Sequence, residues 1–245
     1  MLRHFSLINY GVPTERLEAI IPREHFEIAK FETGEGPRSF VSVVPFLDLD
    51  FNFPRLAPWL KFSFYQTNHR AYVIDRKTGQ HAVWFFGTNL GSPLVHLPRL
   101  LWKIPWHYTR YCVDCRYSPA LKRYESYRYD FESEWCSGRT RLRDTGEPIE
   151  LMPGFKSLDE MKLILTHPVR GYYRGLDGRI GTYEIWHKEM ECTKGIADDL
   201  YYSLYERLGL MSKEEMLRPH SIFMCPEIQF DIHLPPTRLG TGSPA

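Results

Sequence analysis

Glu125-Ser126-Tyr127-Arg128-Tyr129-Asp130-Phe131-Glu132-Ser133-Glu134-Trp135 is the stretch on which the fold turns. Tyr127, Tyr129, Phe131 and Trp135 hold alternate positions, and Ser126, Arg128, Asp130, Glu132 and Glu134 lie between them. Successive side chains of a strand point to opposite faces, so this stretch needs one buried aromatic face and one wet, charged face. Antiparallel barrels and sandwiches provide such an environment, whereas strands of parallel sheets are buried on both sides.

The same alternation continues outward. Ser137-Gly138 turns into residues 139–143, a strand with an exposed basic face. Upstream, residues 62–75 place Phe62, Phe64, Gln66, Asn68, Arg70, Tyr72 and Ile74 on one face. A turn over 75–79 leads into a second strand at 82–88, which predicts a hairpin. Residues 39–44, 107–113 and 222–234 also read as strands, the last closing the sheet. A further hairpin is expected at 169–174 and 179–188, around the turn at Gly175 and Gly178. Short helices are expected after Thr14, at Ser92-Pro93 and after Ser157, where Glu160 completes a capping box and Met161, Ile164 and Leu165 form the apolar face. The longest helix is expected over 196–208, with Gly209 as its C-terminal cap. Roughly nine strands and a few short helices, without regular strand–helix alternation, exclude a doubly wound parallel sheet.

The 245 residues suffice for one large β domain, and a 15% aromatic content favours strands. One domain is expected over 1–239, followed by a disordered tail at 240–245. The formal net charge is +1, so no overall field draws the chain to nucleic acid or to anionic lipid. A basic excess between Arg99 and Arg143 is broken by Asp114, Glu125, Asp130, Glu132 and Glu134 and reads as a solvated strand face. The five cysteines are irregularly spaced and do not form a disulfide framework. Cys112 and Cys115 have knuckle spacing, but no second pair accompanies them. Three apart in a strand, they point to opposite faces, so no metal is assigned. No apolar run approaches a membrane span and no signal peptide is evident, so the expected location is the cytoplasm.

There is no dinucleotide-binding glycine motif, P-loop, HExxH or GxSxG, and no cofactor is expected. The candidate chemistry lies in four places. If the face carrying Asn68 and Arg70 points inward, a buried Arg70 calls for an anionic partner. In Lys103-Ile104-Pro105-Trp106-His107-Tyr108, the lysine reads as snorkelling to water and His107 as the candidate proton-transfer group, with Trp106 and Tyr108 as walls. Glu184 and His187 sit on opposite faces of one strand. His220-Ser221 reads as a turn or cap pair, because a nucleophilic serine draws its base from across space.

The run from Phe5 to Phe46, Asn68-His69-Arg70-Ala71-Tyr72-Val73, Val83-Trp84-Phe85-Phe86, Leu100-Leu101-Trp102-Lys103-Ile104-Pro105-Trp106, residues 163–173, His187 and His220-Ser221 together resemble an uncharacterised bacterial domain-of-unknown-function family, the YqjF-like group. That family is similar in fold to acetoacetate decarboxylase. The resemblance implies a mainly β, closed antiparallel β-barrel with several short helices around a central pocket. In acetoacetate decarboxylase a lysine after a proline forms a Schiff base with a β-keto acid. Here Trp106 and His107 follow Pro105, and Lys103 precedes it, so the resemblance implies the barrel and pocket without the imine reaction. The expected function is binding of a small anionic carboxylate or carbonyl compound in the cavity, with Arg70 and Asn68 anchoring it. Lyase-type or acid–base chemistry at His107 is one form of this reading. The alternative is a non-catalytic ligand-binding or sensor module. A homo-oligomer built on the Tyr-rich strands is a third reading.

Overall fold

The computed structural model describes residues 1–53, 57–232 and 236–239. The strands are Leu2–Val12 (β1), Phe26–Ile28 (β2), Phe31–Thr33 (β3), Gly36–Phe53 (β4), Ala57–Asp75 (β5), His81–Leu90 (β6), Trp106–Tyr108 (β7) and Arg110–Ser118 (β8). They continue with Arg123–Glu132 (β9), Gly138–Pro148 (β10), Arg170–Arg174 (β11), Ile180–His187 (β12), Thr193–Tyr202 (β13), Ser221–Ile228 (β14), Phe230–Ile232 (β15) and Thr237–Arg238 (β16). The helices are Glu15–Glu18 (α1), His96–Trp102 (α2), Leu158–Thr166 (α3), Ser203–Arg207 (α4) and Lys213–Met216 (α5), with a 3-10 turn at Pro93–Val95 leading into α2. The tail expected at 240–245 lies outside the described residues, as do the last two positions of the strand expected over 222–234.

One sheet runs β15-β12-β11-β6-β5-β4-β1-β14-β13-β10-β9-β8. It is mixed rather than purely antiparallel, because β7 and β11 both pair parallel to β6. It is also open. Among the described residues no ladder joins β8 to the far end, which corrects the closed barrel expected from the alternation. Tyrosine hydroxyls of β8 and β9 instead reach across to the backbones of β1, β4, β5 and β6. Tyr129 Oη donates to the carbonyls of Phe46 (2.5 Å) and Gln66 (3.0 Å). Tyr111 Oη donates to the Asn89 carbonyl at 3.0 Å, and Tyr127 Oη to the His4 carbonyl at 2.7 Å. The sheet therefore folds over on itself, and rings fill the space between its halves. Tyr127, Tyr129, Phe131, Tyr202 and Tyr205 are all buried there in one apolar cluster.

The alternation holds as far as Glu132, where β9 ends: Tyr127, Tyr129 and Phe131 are buried, while Arg128 and Glu132 are exposed, and Trp135 lies in a bend beyond the strand. Both hairpins form, and α3 is capped by Ser157, whose hydroxyl accepts from Glu160 N. The long helix expected over 196–208 does not form; most of that stretch is β13. Asp199 pairs with Arg139 and Asp198 with Arg143 across β10, at a register shift in the ladder. The shift gives one strand an extra residue, which lets two successive aspartates reach the same charged face. Only Ser203–Arg207 then turns helical. A second apolar cluster lies on the outer face of the sheet beneath α3, and includes Tyr72, Phe85, Met161 and Leu165.

Candidate functional site

The 3-10 turn, α2 and β7 form one unit across the mouth of the folded sheet. Ser92 caps its start, accepting from Leu94 N at 3.3 Å. Lys103 ends α2 in a left-handed conformation, φ 57°, and its carbonyl accepts from Leu176 N at 2.8 Å. Lys103 thus serves as a helix terminus. After Ile104-Pro105 the chain enters β7, which pairs parallel to β6 with Trp106 in register with Thr88 and His107 with Asn89.

Arg99 of α2 folds back over β7. Its Nη1 donates to the Trp106 carbonyl at 2.8 Å and to His107 Nδ1 at 3.1 Å. A guanidinium only donates, so Nδ1 carries the lone pair and the proton sits on Nε2. The His107 ring stacks on Trp135, with centroids 4.2 Å apart and planes 4° from parallel. Burial, then the charges of Arg99 and Arg207, lower the His107 pKa to about 4. The ring is therefore neutral near pH 7, with Nε2–H unpartnered among the described residues. It forms part of the floor of an open cleft of about 770 Å³ that is also lined by His96, Arg99, Tyr108, Arg110, Glu132, Ser133, Glu134 and Trp135. Arg110 and Glu132 pair on the rim at 3.1 Å, whereas Arg99 has no ion pair among the described residues.

Beneath Trp135 lies a second neutral histidine. His69 is 0% exposed, and its ring meets Phe131, Trp135, Tyr202 and Tyr205 edge-on. Its Nε2 lies 3.1 Å from Asn89 Oδ1. Asn89 directs its amide hydrogens to Thr109 Oγ1, Ser133 Oγ and the Cys136 carbonyl, so Nε2 of His69 must be the donor. Nδ1 is left as a buried lone pair without a partner. Burial drives this pKa down to about 3. Gly87 allows the close packing above: a Cβ there would lie 2.6 Å from Trp135 Cζ2.

Of the five residues expected at a site, the fold brings two into the cleft, His107 and Tyr108. Trp106 is 5% exposed and contributes its carbonyl to Arg99. Asn68 Oδ1 accepts from Thr88 Oγ1 at 2.8 Å and from Gln66 Nε2 at 2.9 Å. Arg70 does share a face with Asn68, but that face is the outer one. Its Nη2 donates to the Leu165 carbonyl at 2.9 Å and to Tyr72 Oη at 3.3 Å. Reading the sequence does not single out His69, Asn89, Arg99 or Trp135 as site residues. A signal for His69 is nonetheless present: in an alternating strand, the neighbour of Arg70 takes the opposite face. Cys112 is exposed and Cys115 half-buried, and no group of three metal-ligating side chains occurs among the described residues. Glu184 pairs with Arg170 at 2.9 Å, while His187 is buried.

Residues 1–229 match the model of the DUF2071 family, described as an uncharacterized conserved protein. The chain belongs to the DUF2071 family. No curated protein matches. The fold of this DUF2071 chain is that of acetoacetate decarboxylase-like proteins. It is similar to acetoacetate decarboxylase from Legionella pneumophila subsp. pneumophila str. Philadelphia 1, with a TM-score of 0.51 and 11% identity over 98% of this chain and 87% of that one. It is similar to the enduracididine biosynthesis enzyme MppR in its pyruvate complex, with a TM-score of 0.57 and 8% identity over 98% and 89%. An acetoacetate decarboxylase-like enzyme from Sphingomonas wittichii RW1 gives 0.53 and 9% over 97% and 91%. No helix among the described residues is long and apolar enough to cross a membrane.

Proposed function

We propose that this protein binds a small carboxylate or carbonyl compound in the cleft beneath α2, and that any reaction there proceeds by hydrogen-bond polarisation or proton transfer rather than through an imine. The observation that carries this reading is the Arg99–His107–Trp135 arrangement. Arg99 fixes the tautomer, Trp135 fixes the plane, and the result is a neutral imidazole presenting Nε2–H to the open cleft. Such a group donates to a carbonyl oxygen and stabilises negative charge developing on it. Arg99 supplies a cation that no protein carboxylate neutralises among the described residues, which suits an anionic ligand. Tyr108 and Trp135 are the walls. The pyruvate complex of the MppR neighbour supports the ligand class.

No lysine lines this cleft, and none of the ten lysines in the chain is buried. An imine-forming lysine needs desolvation or a neighbouring cation to lose its proton near neutral pH. The test is titration of the protein with pyruvate and short β-keto acids, followed by calorimetry and by intact mass after borohydride. Saturable binding that weakens roughly tenfold in Arg99→Ala, about the 1.4 kcal/mol of one charge-assisted hydrogen bond, is expected, with no reduced adduct. A borohydride-stable adduct on any lysine, or binding indifferent to both Arg99→Ala and His107→Phe, would overturn the proposal. Binding without turnover of any acid tested would leave a binding module.

A further inference from the structure

We propose that Cys192 and Cys225 form a reversible dithiol–disulfide pair, oxidised by exchange with a low-molecular-weight disulfide of the glutathione class. The ladder between β13 and β14 pairs Thr193 with Met224 and Lys194 with Phe223. One step further along the same antiparallel register, Cys192 falls opposite Cys225. Both side chains belong to the outer apolar cluster, so they share a face of the sheet. Residues directly opposite in an antiparallel pair have Cα atoms about 4.5–5.5 Å apart, inside the window that a disulfide spans.

Both thiols also border an open cleft of about 510 Å³ whose rim carries Lys122 and Lys188 as well as Glu189, Glu191 and Glu227. Cys225 is 3% exposed and Cys192 8%. The Cys225 thiol donates to the Glu227 carbonyl at 3.4 Å. One of the two, as its thiolate, attacks a sulfur of glutathione disulfide. It displaces one glutathione thiolate and forms a mixed disulfide. The other thiol, giving up its proton, then attacks the first cysteine's sulfur and releases the second glutathione. The protein loses two hydrogens, and one glutathione disulfide becomes two glutathione thiols.

The position gives the bridge a consequence. The two register pairs of the β13–β14 ladder join the half of the sheet that carries β8, β9 and β10 to the half that carries β1, β4, β5 and β6. A bridge beside those pairs staples that junction.

The experiment is intact mass and peptide mapping after incubation with glutathione disulfide, read beside thermal unfolding with and without dithiothreitol. Expected is the loss of two hydrogens, a Cys192–Cys225 cross-linked peptide, and a Tm that rises on oxidation and returns on reduction. Cys112→Ser/Cys115→Ser should still form the bridge. Cys192→Ser should instead retain one glutathione on Cys225. Glutathione uptake by the wild type without the internal bridge, a bridge that maps to Cys112 or Cys115, or no oxidation in the native fold would each overturn the proposal. If Cys192→Ser does not fold, the peptide map of the wild type and of the Cys112→Ser/Cys115→Ser variant decides the question.

Discussion

His69 and Arg70 stand side by side in β5 and point to opposite faces of the sheet, His69 inward among aromatic rings and Arg70 outward beneath α3. Both are buried, at 0% and 6% exposure. The imidazole meets burial by giving up its proton, and its pKa falls to about 3. The guanidinium has no such route, because arginine stays charged in proteins. It is accommodated by acceptors: the Leu165 carbonyl in the last turn of α3, where the helix dipole is negative, the Tyr72 hydroxyl, and the Tyr72 ring face 5.4 Å away. Each residue leaves one nitrogen unpartnered, Nδ1 of His69 and Nε of Arg70. A titratable base and a permanent cation thus solve the same desolvation problem in different ways on the two faces of one strand.

Three changes test that contrast. Asn89→Ala strikes the inner face hardest, since it strips a buried donor–acceptor from His69, Thr109, Ser133 and the Cys136 carbonyl. A loss of about 3–5 kcal/mol in urea unfolding is expected; a loss below about 1 kcal/mol would show that the inner network does not depend on Asn89. Arg70→Ala should cost about 3 kcal/mol, mostly from the cavity and the stranded acceptors. Arg70→Met keeps the volume and removes a desolvated charge, so it should recover most of that loss. Equal losses in the two variants would mean that the charge itself stabilises the outer face.

The third change concerns acid. His69 has a folded pKa of about 3, below its ordinary 6.5, so the unfolded chain binds the extra proton first. Its stabilising contribution is fully present above pH 6.5 and declines as pH falls toward 3. By about pH 4.5 this one group should have removed between about 2 and 3 kcal/mol. The pKa values of His4, His81, His107, His187 and His220 are lowered as well and push in the same direction. The difference in pH slope between wild type and His69→Gln therefore isolates the buried ring. If the two slopes coincide between pH 6.5 and 4.5, His69 is charged or solvated in the fold and the contrast with Arg70 fails.

Much of the fold was legible because period-two patterning depends on local stereochemistry. Residues 125–132, the two hairpins and the Ser157 cap each follow from their own residues. Residues 196–208 were not legible as strand. There the apolar spacing suits either period, and the partners that decide, Arg139 and Arg143, come from β10. The alternation in β5 likewise separated Asn68, Arg70 and Tyr72 from His69, but no local rule says which face turns inward. Arg99 looked like one cation in a basic stretch; only the reversal of the chain at Lys103 and Pro105 lays it on His107.

The residues alone therefore decided where most strands other than β13 lie, which side chains share a face, and that Trp106 and His107 rather than lysines follow Pro105. Tertiary structure decided how the sheet folds over on itself and that no ladder joins β8 to its far end among the described residues. It also decided that His69 rather than Arg70 faces the interior, and that Arg99, His107 and Trp135 meet. Such contacts join positions far apart in the chain, and their energies depend on burial and geometry that exist only once the whole sheet has folded over.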